Sequence, residues 1–594
     1  MSKKILLTLI LFSVLICLAQ AQPEIYQLKL LAVEDNGEEM YGSDADLLLE
    51  LKSGSGRVFL ETFPLTKMDT QISTRFAKDI ACSHFKLNCD KYDFIYTIKS
   101  KSNIIGGPSA GAAIAALTAI AVLDLEYDPA VAVTGTINSG GIIGPVGGVK
   151  EKLEAASNIK LKKVLIPKGI SLQQKFDEKE GNFTGIDLVE YGKNNLSLEV
   201  IESLSLDEVV FHLTGANLNP KNLTLIENEE YSTIMDSLRR KICQRTDTML
   251  EQMEQENLIL KPETSASVQQ LLGRSINSTA EGNFYSAASF CFSANLELKR
   301  AYYDLNSPRQ GIIFNLQNSL AKKIDLLRKN LAEEKIETIS DLQTLMIVSE
   351  RIRDAQEQIE TLQEKKNLAK AEAATESYRL LAYAEERYFS AVTWKEFFNM
   401  SGQKYLLNEE QLKNSCLQKI SESQERYQYA SFFVSSDYTG NIVTKIDTAQ
   451  KSMQENDFIL CLMQASQAKA DSSALLSSIG VSEEAFAELL QEKIQAAGRV
   501  IAENIAEDTF PILGYSYYQY AKTLQESDPY TALVYTEYAL EMGELGIYFP
   551  QEKTQPLFEI DEDWILAGKG FLLGFFVALL IVQFRRKRKK YGFI

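Results

Sequence analysis

The chain has 594 residues, a length that allows roughly two to four domains. Its hydrophobic content of 45% is typical of a globular protein rather than a disordered one. Its formal net charge of −18 argues against nucleic acid as a partner, because the phosphate backbone attracts basic surfaces. The composition therefore predicts a multidomain globular protein that does not bind nucleic acid.

Residues 1–21 have the pattern of a secretory signal peptide. Two lysines precede an apolar run that begins at Ile5, and Ala19-Gln20-Ala21 forms a small-x-small cleavage site. An uncleaved N-terminal anchor is the alternative interpretation of the same pattern. Either interpretation predicts that the rest of the chain is exported.

Six of the seven cysteines lie beyond the signal pattern, an even number that an exported protein can pair. Cys82 and Cys89 are close enough in sequence to bridge around a helix end. The other four lie in helix-like sequence, where buried thiols are the alternative to disulfides: Cys243, Cys291, Cys416 and Cys461. No metal-ligand spacing occurs among them, so no metal and no other cofactor is predicted.

Residues 22–215 alternate between strand-like and helix-like segments, which predicts an α/β domain. The predicted elements are a β-hairpin around a Gly-Ser-Gly turn, a helix, a strand that leads to a glycine-rich loop, and a later strand: Leu47–Leu51 with Val58–Thr62, Thr70–Phe85, Asp93–Ile98, and Val164–Ile166. The glycine-rich loop after the strand Asp93–Ile98 is where the candidate chemistry begins.

Ser109 follows a Gly-Gly-Pro turn and precedes Ala110–Leu123, an alanine-rich run with the composition of a buried helix. A serine at a helix start lies beside unpaired backbone N–H groups and the positive end of the helix dipole. Such donors suit the developing oxyanion of an acyl transfer. Gly107, Pro108 and Ala110 are accordingly predicted to support Ser109 as a nucleophile. A helix cap is the ordinary alternative role for such a serine.

A lysine is predicted to be the base that activates this serine. The chain has two histidines, His84 and His212, and neither lies in a motif, which disfavours a Ser–His–Asp triad. Burial can lower the pKa of a lysine until its amine is neutral. Lys152 lies beside the apolar stripe of its predicted helix, whereas Lys150 can pair with Glu154 on the solvent face. Burial therefore favours Lys152.

Three motifs in residues 106–152 resemble the proteolytic domain of the Lon family. Gly-Pro-Ser-Ala-Gly places Ser109 at the family's nucleophile, Val-Thr-Gly contributes Thr134, and Val-Gly-Gly-Val-Lys-Glu-Lys ends at Lys152. All three match the family pattern without a gap. The resemblance implies a Lon-type α/β proteolytic fold, a catalytic dyad of Ser109 and Lys152, and a Thr134 hydroxyl that hydrogen-bonds the lysine.

The chain departs from the family at positions beside these motifs. Gly106 stands where ATP-dependent members often have an aspartate, and Thr136 stands where an acid often follows Thr-Gly. No Walker-type Gly-x-x-x-x-Gly-Lys-Ser/Thr sequence occurs in the chain. The plan is similar to that of archaeal, membrane-anchored Lon-like proteases without an ATPase domain, which implies a peptidase that does not use ATP.

Residues 216–563 are predicted to be nearly all helix, arranged as an irregular bundle or solenoid. Residues 312–401 contain neither Gly nor Pro, so long helices are expected. Apolar residues over Leu345–Leu362 alternate spacings of three and four, a short coiled-coil seam. Tyr517–Met542 resembles one tetratricopeptide-type helix pair, without a repeating period of roughly 34 residues.

Residues 564–584 form an apolar stretch that is long enough to be a transmembrane helix. Six consecutive basic residues begin at Arg585, and three acidic residues precede the stretch. By the positive-inside rule, residues 585–594 are predicted to be a cytoplasmic tail, with the body from Gln22 onward outside the cell membrane. An amphipathic helix with a nucleic-acid-binding tail is the alternative, which fits so apolar a segment poorly.

Two functional hypotheses follow from these observations. The first is a membrane-anchored, exported serine endopeptidase that cleaves proteins or peptides with a Ser–Lys dyad and without ATP. The second is a catalytically silent scaffold, in which the Lon-like domain binds peptides or assembles and the helical region carries the function. The family resemblance also implies a homo-oligomeric ring whose face the helical region covers.

Overall fold

The computed structural model describes residues 25–35, 40–177, 182–218, 225–364, 371–479, 481, 483–552, 574–575, 578–579 and 581–582. The chain divides into two compact units, residues 1–550 and residues 551–594. Within the first unit, a mixed α/β region is followed by an all-helical region, as the sequence predicts. The predicted signal peptide over residues 1–21 lies outside the described residues.

The larger sheet of the α/β region has the strand order β1-β2-β4-β3. Its strands are β1 (Ile25–Asp35), β2 (Met40–Ser53), β3 (Val58–Thr66) and β4 (Tyr92–Ile105). The predicted pairing of Leu47–Leu51 with Val58–Thr62 is wrong, because β4 lies between β2 and β3, antiparallel to the first and parallel to the second. The Asp93 carboxylate accepts hydrogen bonds from the backbone N–H groups of Ser55 and Arg57, so the turn is fixed against the start of β4.

The rest of the α/β region includes a buried helix, α2. The helices are α1 (Met68–His84), α2 (Gly111–Leu123), α3 (Val149–Asn158), α4 (Leu188–Leu196) and α5 (Leu206–Thr214). The remaining strands are β5 (Val131–Val133), β6 (Thr136–Ile137), β7 (Ile143–Gly144), β8 (Lys163–Pro167), β9 (Leu172–Asp177), β10 (Asn182–Asp187) and β11 (Glu199–Ser203). β5, β8 and β11 form a parallel sheet, while β6 with β7 and β9 with β10 form antiparallel pairs. Because α2 consists largely of small and apolar side chains, it is buried along almost its whole length and anchors the loop before it.

The apolar faces of the helical region form one large buried core and several smaller clusters. Its helices are α6 (Glu229–Gln255), α7 (Pro262–Ala280), α8 (Phe284–Asn306), α9 (Gln310–Leu331), α10 (Ile339–Glu364), α11 (Ala371–Trp394), α12 (Glu409–Ala430), α13 (Ser436–Gln454), α14 (Phe458–Ser478), α15 (Glu483–Ala506), α16 (Ile512–Leu524) and α17 (Pro529–Gly543). The predicted seam over Leu345–Leu362 lies on α10, where Val348, Ile352 and Ile359 are buried inside this core. It therefore packs within the chain. The predicted helix pair over Tyr517–Met542 corresponds to α16 and α17, which pack against each other.

The helical region and the α/β region share part of a core. Ile142 and Leu204 of the α/β region belong to the same buried cluster as Val500 and Leu540 of α15 and α17. Side chains of α15 and α17 also approach Gly140, where a Cβ atom would meet both Val500 and Leu540 at 2.8 Å. The loop between β6 and β7 is therefore packed against the helical region rather than exposed.

Three disulfide bonds join the cysteines that the sequence singles out. Cys82–Cys89 links the end of α1 to the turn before β4, as expected from the spacing of the two residues. Two further disulfides link α6 to α8 and α12 to α14: Cys243–Cys291 and Cys416–Cys461. These four cysteines are therefore paired rather than free thiols. Disulfides of this kind persist under oxidising conditions.

The prediction of a C-terminal transmembrane helix, and of a single-pass cell-membrane localisation with the body outside, is corrected by the structure. Among the described residues, no helix is both long enough and apolar enough to cross a membrane. A span needs about 20 residues in one continuous helix. Within residues 564–584, only 574–575, 578–579 and 581–582 are described, as short helical pieces; the rest of that stretch and the basic tail lie outside the described residues.

Candidate active site

The Ser109 turn connects β4 to the buried helix α2. Gly107 adopts a φ of 95°, a left-handed conformation that favours glycine, and Pro108–Ala110 forms a 3₁₀ turn before α2 begins. The backbone N–H of Gly107 donates to the Asp69 carboxylate over 2.9 Å. Ser109 itself is half-buried, so its hydroxyl lies on a fixed turn at the amino end of a helix that is buried behind it. This is a suitable setting for a nucleophile that needs backbone donors close by.

Thr134 lies at the end of β5, next to the Ser109 turn. Its backbone N–H donates to the carbonyl of Leu165 over 3.0 Å, which continues the pairing of β5 with β8. The next residue, Gly135, donates to the carbonyl of Ser109 and accepts from the N–H of Ala112, each over 3.0 Å. The strand end that carries Thr134 is thus bonded directly to the serine turn.

Lys152 is buried in the first turns of α3 and points toward Thr134. Its Nζ donates to the Oγ1 of Thr134 over 3.1 Å, and the two residues are 3% and 1% exposed. Burial lowers the pKa of Lys152 to about 7, since desolvation penalises the charged amine. Among the described residues, no carboxylate forms a salt bridge with this amine. Lys152 is therefore partly neutral near pH 7, and its neutral amine can accept a proton.

Lys150 occupies the opposite environment on the same helix. Its Nζ lies 3.4 Å from the Glu154 carboxylate and 5.6 Å from the centre of the Tyr191 ring, and its side chain is 34% exposed. Two residues apart on a helix, Lys150 and Lys152 face about 200° away from each other. The helix therefore buries one lysine and leaves the other partly exposed beside Glu154, as the sequence pattern predicts.

The structure places the three motif residues in one connected arrangement. Lys152 is hydrogen-bonded to Thr134, and the residue after Thr134 is hydrogen-bonded to the backbone of Ser109. The arrangement can supply a hydroxyl nucleophile, a neutral amine and the amino end of α2. Among the described residues, no cluster of three or more His, Cys, Asp or Glu side chains could hold a metal ion.

Three residues beside this arrangement were not singled out from the sequence. Asp69 brings a carboxylate to the Gly107 turn, beside the position where the Lon family often has an aspartate and this chain has Gly106. Arg426 and Tyr429 of α12 reach the loops after Thr134 and before α3. Their separation along the chain from the motifs leaves no local pattern that could have revealed them.

His84, one of the two histidines, has a different partner. Its Nε2 lies 2.7 Å from the Asp207 carboxylate, and the Arg499 guanidinium lies 3.6 Å from the same oxygen. His84 lies at the end of α1 beside Gly141, where a Cβ atom would meet the imidazole at 2.8 Å. These three side chains thus join α1, α5 and α15, and His84 packs against the β6–β7 loop.

Comparison with known proteins places the same segment in a family context. Residues 101–178 match the family described as the Lon protease (S16) C-terminal proteolytic domain. This segment contains Ser109, Thr134 and Lys152, and it excludes the helical region. The match supports serine protease activity for the segment.

Individual relatives match over similarly limited stretches. Lon protease 2 of Bacillus subtilis is 46% identical over 63 residues, 11% of this chain and 11% of the relative. The archaeal Lon protease of Archaeoglobus fulgidus is 44% identical over 64 residues, 11% of this chain and 10% of the relative. The Lon protease of Rickettsia conorii is 35% identical over 142 residues, 23% of this chain and 16% of the relative. The chain therefore spans a small part of the relatives it matches, and the likeness concerns the C-terminal proteolytic domain of Lon proteases, including archaeal ones.

Proposed function

We propose that the chain is a serine endopeptidase in which Ser109 is the nucleophile, Lys152 the general base and Thr134 the residue that orients the lysine. The observation that carries this proposal is the buried Lys152 amine, which has a pKa of about 7 and Thr134 as its hydrogen-bond partner, inside the segment similar to the Lon proteolytic domain. We assign the peptidase to residues 22–215 and a helical domain to residues 216–563, and the two share part of a buried core.

The proposed reaction proceeds by acyl transfer. Neutral Lys152 takes the proton of the Ser109 hydroxyl while the serine oxygen attacks the carbonyl carbon of a peptide bond. The backbone N–H of Ser109 and the dipole of α2 stabilise the negative charge that develops on the carbonyl oxygen, since the N–H groups of Gly107 and Gly111 are already bonded to Asp69 and to the Pro108 carbonyl. The protonated lysine then donates its proton to the leaving amine and is neutral again. In the second half of the reaction, the lysine takes a proton from the water that attacks the acyl group and returns it to the serine oxygen.

The Thr134 hydroxyl has a specific part in this scheme. Because it accepts a hydrogen bond from the lysine Nζ, it fixes the direction of the amine without neutralising it. A carboxylate in the same place would raise the pKa of the lysine and keep it charged. An alcohol partner is therefore compatible with a base, whereas an acid partner is not.

The proposal includes two further points: the peptidase does not need ATP, and its substrates are proteins or peptides. The chain has no Walker-type phosphate-binding sequence, and the segment similar to Lon is the proteolytic one. A ring-shaped homo-oligomer is a further prediction of the resemblance, which a single monomeric mass in light scattering at all concentrations would exclude.

The silent-scaffold alternative is less well supported by the chemistry of the site. A buried lysine without a carboxylate partner costs free energy, because its charged form loses hydration and gains no ion pair. A scaffold would be more stable with an apolar residue at this position. Retention of Lys152 beside Thr134 is easier to explain if the neutral amine is used.

The experiment that tests the proposal is hydrolysis of an unstructured protein such as casein in the absence of ATP. The wild-type chain should cleave it, and Ser109→Ala should reduce the rate to background, because the nucleophile is removed. Ser83→Ala, which changes a partly buried serine on α1, is the matched control and should keep the activity. Equal hydrolysis by wild type and Ser109→Ala would exclude Ser109 as the nucleophile.

A further inference from the structure

The carboxyl-terminal turns of α12 reach two segments of the proposed catalytic site. Arg426 and Tyr429 are three residues apart, so their side chains lie on the same face of the helix. The Arg426 Nη1 donates to the Oγ1 of Thr136 over 2.8 Å, and its Nη2 donates to the carbonyl of Ile137 over 3.1 Å. The Tyr429 hydroxyl accepts from the backbone N–H of Gly147 over 2.8 Å. One helix face therefore holds both loops.

One of these loops follows Thr134, and the other precedes α3, the helix that carries Lys152. Thr136 is two residues after Thr134, and the intervening Gly135 is bonded to the carbonyl of Ser109. Gly147 precedes Gly148, the cap residue before α3, and the carbonyl of Gly148 accepts from the N–H of Lys152 over 3.0 Å. Arg426 thus fixes the segment that carries Thr134, and Tyr429 fixes the start of the helix that carries Lys152.

The local packing indicates that these contacts are close and specific. Arg426 is only 2% exposed, so its guanidinium has lost water and depends on the protein for hydrogen-bond partners. The two acceptors match the planar fork of an arginine, which a lysine reproduces only in part. At Gly147, a Cβ atom would lie 2.8 Å from the tip of the Phe433 ring, just beyond α12, so a side chain at this position would displace that ring.

We propose that Arg426 and Tyr429 are positioning residues of the peptidase, which hold Thr134 and Lys152 in register through their loops. This proposal rests on the proposed function and assigns a role to the helical region that the Lon-like segment does not contain. The helical region then contributes two side chains that hold the loops of the catalytic site in place. Neither residue touches the reacting atoms, so their loss should lower the catalytic rate more than it weakens substrate binding.

The arginine is tested by steady-state kinetics on a fluorogenic peptide with the full chain. Arg426→Met should lower kcat roughly 10- to 100-fold with a smaller change in KM, the scale of a misplaced catalytic group. Arg426→Lys should recover part of the loss, because it restores the charge and one donor. Arg351→Met is the matched control: it removes another buried arginine of the helical region, which donates to Ser390 on α11. Equal losses of kcat in Arg426→Met and Arg351→Met, or none in Arg426→Met, would overturn the proposal.

The tyrosine is tested by a readout that does not depend on catalysis. Tyr429→Phe removes the acceptor of the Gly147 N–H, so hydrogen–deuterium exchange should become faster in peptides that cover residues 145–152. Tyr427→Phe is the matched control on another face of α12, where the ring packs near Ile442 and Ile446. Faster exchange in Tyr429→Phe alone supports the positioning role even if Ser109→Ala shows that the nucleophile is wrong. Unchanged exchange in Tyr429→Phe would exclude the role of Tyr429.

Discussion

The α/β region and the helical region both bury lysines, and the two regions treat them in opposite ways. Lys152 of the α/β region is 3% exposed, is bonded to a threonine hydroxyl, and has its pKa lowered to about 7 by burial. Lys419 of the helical region is fully buried, but its Nζ lies 2.5 Å from Glu541 and 3.4 Å from Glu422. Burial also lowers the pKa of Lys419, yet these two carboxylates outweigh it and the net shift is upward.

The difference teaches that the partner, rather than burial alone, decides whether a buried lysine is charged. Lys469 also contacts both carboxylates, at 2.9 Å and 3.1 Å, so the helical region contains an ion network. In that network, burial raises the pKa of Glu541, but the lysines outweigh it and lower the pKa to about 2. Within this network, Lys419 and Glu541 thus stay charged at neutral pH, whereas Lys152 is able to change its charge there.

Replacement of Lys152 tests whether the lysine without a carboxylate partner is the catalytic base, and it has the largest expected effect. Lys152→Met keeps the volume of the apolar stem and removes the amine. We expect hydrolysis to fall roughly 100- to 10,000-fold, the range for loss of a general base. The rate is measured with the same fluorogenic peptide as for the wild type. Activity within a few-fold of the wild type would exclude Lys152 as the base.

Replacement of Lys419 tests the structural side. Lys419→Met leaves two buried carboxylates with one lysine instead of two, and breaking a buried pair costs about 3–5 kcal/mol. Since Lys469 still contacts both acids, we expect a loss near the lower end, about 3 kcal/mol in the free energy of unfolding. Chemical denaturation measures it. An unchanged or higher stability would contradict the view that this network stabilises the chain.

The pH dependence of stability should also reveal the lowered pKa of Lys152. The pKa of Lys152 is about 7 in the folded chain and 10.5 for a fully exposed lysine, so between these values the unfolded state binds the extra proton. The contribution of Lys152 to the free energy of unfolding therefore rises with pH, by about 2 kcal/mol between pH 7 and pH 9. Lys152→Met should accordingly be more stable than the wild type at pH 7, with an advantage that shrinks toward pH 10. A constant difference across this range would show that the folded pKa of Lys152 is not lowered.

Thr134→Val tests whether the alcohol orients the lysine. The valine has nearly the same shape but accepts no hydrogen bond, so the amine loses its fixed direction. We expect kcat to fall roughly 10- to 100-fold, with the fold and the unfolding temperature nearly kept. Thr134→Ser, which restores the acceptor, should recover most of the rate. Failure of the serine variant to exceed the valine variant would indicate a packing role only.

Lys150→Ala has the smallest expected effect. Its amine pairs with Glu154 at the surface, and exposed ion pairs contribute about 0–1 kcal/mol. Hydrolysis should therefore stay within about threefold of the wild type, since surface substitutions away from the chemistry change little. A strong loss of activity would reverse the assignment of the two lysines.

The local part of the α/β region was predictable from the sequence. Helix α1, helix α2 and strand β8 follow from short-range patterns, and the burial of Lys152 against the exposure of Lys150 follows from helical periodicity. The disulfide between Cys82 and Cys89 was also within reach, because its partners are seven residues apart. The catalytic roles of Ser109, Lys152 and Thr134 remain predictions.

The parts that could not be predicted depend on contacts between distant segments. Insertion of β4 between β2 and β3 is a choice of topology that a Gly-Ser-Gly turn does not reveal. Arg426 meets Thr136 across 290 residues, and no periodic pattern in either segment records the contact. The prediction of a membrane helix is contradicted among the described residues, where no helix is both long enough and apolar enough to cross a membrane.

The central claim is that Lys152 acts as a neutral base toward Ser109. The most direct measurement is the rate at which a fluorophosphonate probe labels Ser109 in the wild-type chain between pH 5 and pH 10. The account predicts a rate that rises through an apparent pKa of about 7 and then levels off, because the deprotonated lysine accepts the serine proton. A labelling rate that is independent of pH, or that rises only near the pKa of an exposed lysine, would contradict it.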